Sequence, residues 1–201
     1  MSRRLGMGCI LLGLCCLLLA AGLMISNIRE ENSAEKAAEY MLQDVRGKME
    51  ENSEVETPGT NALTNGAGGE MPVTRVGDYD CIGILSIPVL ELELPVLTDW
   101  SYTKLKTAPC LYYGTYYEKD FVIAAHNYQS HFGRLSELQE KDLVLFTDVT
   151  GTVRCYEVVL LETLPGNATE QMITSGFDLS LYTCTPGGGN RVSVRCSAVE
   201  E

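Results

Sequence analysis

Among the eight cysteines of this 201-residue chain, one is set apart by its neighbours. Cys184 closes the apolar run SLYTC, faces the turn TPGGGN and is followed seven residues later by Arg191. A thiol must lose its proton before it attacks a carbonyl. A permanently charged guanidinium nearby favours the thiolate and stabilises an oxyanion formed by acyl transfer. Strand alternation in RVSVR puts Arg191, Ser193 and Arg195 on one face and Val192 and Val194 on the other. If the two runs pair as antiparallel neighbours across the glycine turn, Arg191 comes close to the Cys184 sulfur. Arg195 fits a solvated surface charge as well as it fits a role. A proton acceptor is also needed, and the chain has two histidines. His126 ends the apolar strand FVIAAHN, where a rim residue looks into a cleft, whereas His131 lies in the polar loop NYQSHFGR. Cys184, His126 and Arg191 therefore form a workable set for nucleophilic catalysis through a thioester. Thr183, Ala125 and Asn127, which flank the cysteine and the histidine, are candidates for substrate contact.

The other cysteines read differently. Cys9, Cys15 and Cys16 belong to an apolar N-terminal segment. Cys81, Cys110 and Cys155 lie in or beside apolar runs and read as small buried hydrophobes. A Cys81–Cys196 bridge is left open. With no C-x-x-C pair, and too few ligands at suitable spacing around Cys184 and the histidines, neither a metal nor another cofactor is expected.

The elements that must hold this set follow from the pattern of the chain. Residues 5–28 carry no charge and are long enough to span a bilayer as a helix, with Arg3 and Arg4 before them and Glu30 and Glu31 soon after. The positive-inside rule puts the N-terminus in the cytoplasm and the remainder outside. A cleaved signal peptide, with LAAG as a rough processing site, is the rival, but the apolar run continues past it and favours an uncleaved anchor. Residues 29–52 are rich in helix formers with a weak apolar stripe, which predicts a solvated helical stalk. Residues 53–70 have turn formers and no periodicity and read as a flexible linker. From 71 to 201 the runs are short and of β type: CIGILSIPVL, ELELPVL, FVIAAHN, a hairpin about Val149–Gly151, DLSLYTC and NRVSVRC. SYTKLKTAP and FGRLSELQ supply short helical turns. Such a pattern predicts a mainly β fold, closed or nearly closed into a barrel. The net charge is −12, of which −8 falls in residues 79–201. An acidic domain of this kind lacks the basic patch that nucleic-acid binding requires.

The ordered motifs resemble the sortases, membrane-anchored cysteine transpeptidases of Gram-positive bacteria. SLYTC is similar to the family's TLxTC, with Ser180 in place of Thr. AAHN is similar to its strand-end histidine motif, with Ala125 in place of the usual glycine, and NRVSVRC carries the following-strand arginine. The resemblance runs from about Asp80 to Arg195 and includes IGILSIPVLELELPV. It implies an eight-stranded β-barrel in which Cys184 attacks the Thr–Gly bond of an LPxTG-like sorting signal on a secreted protein. His126 would protonate the leaving amine and later deprotonate the incoming one, and Arg191 would hold the substrate or the oxyanion. The acceptor would be an amine of a peptidoglycan precursor or a pilin lysine. PGNATEQMITSGF is too short for the long helix of class B. No lid segment or second anchor suggests class C, so a class A-like or D-like enzyme is expected. NAT at 167–169 reads as plain loop rather than a glycosylation site. A thiol hydrolase using the same residues and a non-catalytic anchored β-domain are the alternatives.

Overall fold

The computed structural model describes residues 2–55 and 70–199. Most of the expected linker, from 56 to 69, lies outside the described residues. One helix, α1 (Ser2–Val55), is followed by nine strands: β1 (Thr74–Val76), β2 (Tyr79–Ile87), β3 (Leu92–Leu97), β4 (Cys110–Tyr113), β5 (Phe121–Ala124), β6 (Leu143–Asp148), β7 (Val153–Pro165), β8 (Leu179–Cys184) and β9 (Asn190–Ala198). Two short helices intervene, α2 (Tyr102–Leu105) and α3 (Thr169–Ile173), with single 3-10 turns at Pro88–Leu90 and Leu135–Glu137. The strands run β2-β3-β4-β5-β8-β9-β7-β6, and pairing of β6 with β2 closes them into an eight-stranded barrel. Closure removes the unpaired edges that an open sheet would expose. β1 is a short extra strand on β2.

Closure and two parallel pairings are the long-range features. β3 meets β4, and β5 meets β8, in parallel, while every other neighbour is antiparallel. Gly83 sits at the seam where β2 meets β6. A Cβ there would lie 2.3 Å from the Thr147 carbonyl oxygen and 2.8 Å from the Phe146 ring, so only glycine permits the approach. Inside the barrel, Ile82, Leu85, Phe121, Ile123, Phe146, Leu179, Leu181 and Val194 form the principal core. β1 and β4 escape detection in the sequence because each is only three or four residues long.

The expected solvated stalk needs correction. Residues 29–52 are helical, but Ala34, Ala38, Met41 and Val45 are buried. Their spacing is one helical stripe. Met41 and Val45 pack with Val76, Ile84, Leu97 and Cys110 on the outer wall of the barrel, and Ala38 joins the main core cluster. The small alanines let the helix approach closely, and burying Met41 and Val45 contributes about 1.5–3 kcal/mol each. The stripe looked too weak because alanine counts for little on a hydropathy scale.

Candidate active site

The site is built on the outer face of β5, β8 and β9. Leu179, Leu181 and Val194 point into the barrel core, so period-two alternation turns Ser180, Tyr182 and Cys184 outward. β8 and β9 pair in antiparallel register, with Ser180 opposite Arg195, Tyr182 opposite Ser193 and Cys184 opposite Arg191. Directly opposed residues share a face, so the register makes Cys184 and Arg191 side-chain neighbours, as the hairpin reading predicts. Gly187 and Gly188 have φ of +83° and +75°, and this left-handed backbone lets the chain reverse between the two residues. The Arg191 guanidinium is partly exposed and donates through Nη1 to the carbonyl oxygens of Gly188 (3.0 Å) and Asn190 (3.1 Å).

β5 runs parallel to β8, pairing Val122 with Ser180 and Ala124 with Tyr182. The Ala125 N–H donates to the Tyr182 carbonyl oxygen at 3.2 Å. The pairing ends there; extended by two residues beyond β5, the same register would set His126 level with Cys184. Its ring is stacked on Tyr128, with centroids 4.1 Å apart, and its Nδ1 is buried with no hydrogen-bond partner among the described residues. Burial lowers the His126 pKa below the ordinary imidazole value, while the Glu30 carboxylate and the neighbouring Asn127 pull the other way. A neutral imidazole is thereby favoured, the form able to accept a proton. His131 is fully buried, with neither ring nitrogen partnered among the described residues, and burial pushes its pKa down to about 4. It packs near Tyr128 at 5.5 Å between centroids.

Cys184 and Arg191 open onto a groove of about 230 Å³. It is lined by Trp100 and Tyr102 from the β3–β4 connection, by Pro165, Gly166 and Met172 from the end of β7 through α3, and by Ala125 and Tyr182. Trp100 meets Tyr112 at 5.4 Å and Tyr112 meets Tyr182 edge-on at 5.1 Å, giving an aromatic wall with specific geometry. Cys184 thus lies at a groove on the outer wall rather than inside the barrel mouth. His126 lies just beyond β5 and does not itself line this groove.

The substrate-contact candidates separate. Ala125 lines the groove, whereas Thr183 is buried and its hydroxyl donates to the Ala125 carbonyl oxygen at 2.9 Å. Thr183 therefore ties β8 to β5 and holds the cysteine beside the histidine strand. Its hydroxyl proton is thus committed to this bond within the fold. Asn127 is half-buried next to His126 and is not part of the groove lining.

Sequence reasoning missed the group that shapes one wall. Arg195, expected to be solvated as readily as not, is 1% exposed. It donates to Glu162 (2.8 Å), to the Ser180 hydroxyl (2.8 Å), and to the carbonyl oxygens of Gln171 (2.9 Å) and Met172 (3.3 Å). The last two bonds fasten α3 over the outer face, where Met172 packs with Val122 and Leu164. The alternation of RVSVR carried the signal that Arg195 shares a face with Arg191; its cover, from α3, was not local.

The remaining thiols mostly match expectation. Cys81, Cys110 and Cys196 are buried, and burial raises each pKa to about 12. Cys81 and Cys196 are free rather than bridged. Cys155, expected to be buried, is exposed, because it falls on the outward phase of β7.

The comparisons with known proteins agree with this architecture. A Clostridium perfringens sortase D5 transpeptidase superposes with a TM-score of 0.56 at 16% identity, over 84% of this chain and 99% of that one. A Streptococcus pneumoniae sortase C gives 0.55 at 20% identity, over 86% and 95%. Sortase A from Corynebacterium diphtheriae gives 0.54 at 20%, over 90% and 96%. At these identities the likeness is one of fold. No curated protein matches in sequence. The sortase domain model matches residues 85–199, from within β2 to the end of β9. That span is more than half of the chain and carries Cys184, Arg191 and His126, so the chain belongs to the sortase family of cysteine transpeptidases.

Proposed function

We propose that the chain cleaves a C-terminal LPxTG-like sorting signal and joins the released carboxyl end to an amine at the cell surface. The observation that carries this reading is the cross-strand pair of Cys184 and Arg191 at an open groove, the pairing of a nucleophile with a fixed cation. Cys184 attacks the threonine carbonyl of the Thr–Gly bond. Arg191 neutralises the oxyanion that forms, an effect typically worth about 10²–10³ in rate for one donor. His126 takes the thiol proton and passes it to the departing glycine amine as the C–N bond breaks, which leaves a thioester on Cys184. The incoming amine then gives a proton to His126, attacks the thioester and releases the thiolate, which recovers that proton. Trp100, Tyr112 and Tyr182 supply the apolar surface that excludes water from the thioester, as transfer rather than hydrolysis demands.

The apolar part of α1 anchors the enzyme, with its N-terminus in the cytoplasm and the barrel outside. Its partners are secreted proteins bearing the signal, together with a peptidoglycan precursor or another amine acceptor. The short segment between β7 and β8, holding only the five residues of α3, supports a class A-like or D-like assignment over class B.

The test is to incubate the full chain in detergent with a sorting-type peptide, with and without a small amine, and follow Cys184 by intact-mass spectrometry. An acyl adduct on Cys184 that the amine converts to ligated product is the expected result. Cleavage that yields acid alone in the presence of saturating amine identifies a hydrolase. No adduct with any peptide of a varied panel overturns the reading.

A further inference from the structure

The catalytic groove and the apolar part of α1 are fixed relative to each other. α1 is a single helix from Ser2 to Val55, and its apolar window exposes its side chains with none of it buried. The charge-free run 5–28 gives about 36 Å of helix against about 30 Å of hydrocarbon, so it spans with modest tilt. The helix first touches the barrel just past that run. Glu30 pairs with Lys106, and Glu31 accepts from the Gln129 N–H at 2.6 Å. Lys106 directly follows α2, whose Tyr102 and Leu105 line the groove, whereas Gln129 lies in a separate hollow with Glu31, Leu90 and Arg134. The opposite end of the docked helix is at Lys48, which donates to the Arg75 carbonyl oxygen. That is about 27 Å further along the axis.

Distance from the apolar run therefore ranks the surfaces of the barrel. Glu30 is about 3 Å of helical rise beyond Ile28, while the headgroup layer is about 5–8 Å deep on each side of the hydrocarbon. The surface carried at that level has the residue types that favour an interface. Tyr102 is 79% exposed and Trp100 is 41% exposed, with their rings in edge contact at 5.7 Å. Lys104 and Lys106 follow, each long enough to hold its ammonium in water while its stem lies on lipid. Tryptophan and tyrosine favour this layer because one part of each ring system is apolar and the other makes hydrogen bonds.

We propose that Trp100–Lys106 is a membrane-interface foot: Trp100 and Tyr102 enter the phospholipid headgroup layer of the bilayer that α1 spans, so that the Cys184 groove opens at the membrane surface. The inference rests on the reading of α1 as a membrane anchor.

Trp100 is the one tryptophan of the chain, so its fluorescence reports this surface alone. The full chain is reconstituted into vesicles of phosphatidylcholine with one quarter phosphatidylglycerol, and flotation records whether α1 holds it there. Trp100 emission is then measured with headgroup-spin-labelled phosphatidylcholine and, separately, with iodide in the water. The comparison protein is Trp100→Phe with Val153→Trp. Position 153 is exposed at the start of β7, the end of that strand remote from the groove residue Pro165. Circular dichroism of both proteins verifies the fold. The expected result is flotation of both, with Trp100 strongly quenched by the labelled lipid and severalfold less sensitive to iodide than the tryptophan at 153. If both proteins float and the two tryptophans are equally open to iodide, the foot is wrong and the anchor stands. Lipid quenching at both positions also overturns the foot, since no orientation is then selected. Failure to float removes the anchor and the foot together.

Discussion

Arg191 and Arg195 stand four residues apart on one face of β9 and have opposite fates. Arg195 is enclosed by Glu162, Ser180 and the carbonyl oxygens of α3, with every contact fixed by the fold. Among the described residues, Arg191 bonds two carbonyl oxygens of its own turn and lines a groove. The first arginine builds the wall and the second is left available to a developing negative charge. Two identical side chains thus teach that the partners the fold supplies, not residue type, decide which arginine is free for the role proposed above. The two histidines repeat the contrast. His131 is sealed inside, while His126 stays half-buried beside the cysteine strand.

The contrast is broken most severely at the residue opposite Arg191. Cys184→Ala should abolish acyl-enzyme formation entirely, with a melting temperature indistinguishable from the parent; a large fall in stability would show that the thiol belongs to the core. Arg191→Ala should lower kcat/KM by about 10²–10³ through the lost oxyanion partner. Its unfolding free energy should move by less than about 0.5 kcal/mol, as for other surface changes. Arg195→Met should do the reverse. Urea unfolding is expected to register a loss of about 3 kcal/mol, because Glu162, Ser180 and two carbonyls lose their shared donor. Activity measured well below the new midpoint should fall only as far as α3 loosens. Equal damage to activity from both arginine variants would erase the distinction.

For the histidines the sign is set by protonation. His131 has a folded pKa of about 4 against an ordinary 6.5, so between those values the unfolded chain binds more protons. Stability should therefore decline as pH falls from 6.5 towards 4, by on the order of 3 kcal/mol from this residue. His131→Phe should flatten that part of the stability profile, and an unchanged profile would place the acid sensitivity elsewhere. The smallest effect is reserved for Ser180→Ala, which removes one of the bonds to Arg195. Denaturant titration should show about 1 kcal/mol lost and kcat/KM hardly altered.

Much of the site was legible because its geometry is local. The pairing of SLYTC with NRVSVRC across a glycine turn follows from period-two alternation and a short reversal, and it alone puts Cys184 opposite Arg191. His126 was readable as a strand-end residue, but its place beside β8 depends on a parallel pairing between strands more than fifty residues apart. No local pattern announces such a partner. Trp100, Tyr112 and Met172, which wall the groove, arrive from three separate segments for the same reason.

By itself, the sequence determined which cysteine faces which arginine, the apolar helix and the mainly β character, since each depends on residue chemistry or on periodicities a few residues long. Only the tertiary structure decided that Arg195 is enclosed, that the Thr183 hydroxyl bonds the Ala125 carbonyl, that the helix after the apolar run lies against the barrel, and that Cys184 opens sideways from the wall. These outcomes depend on which distant surfaces meet when β6 closes on β2 and α3 folds over β9. Burial is a property of that meeting, and the residue alone does not carry it.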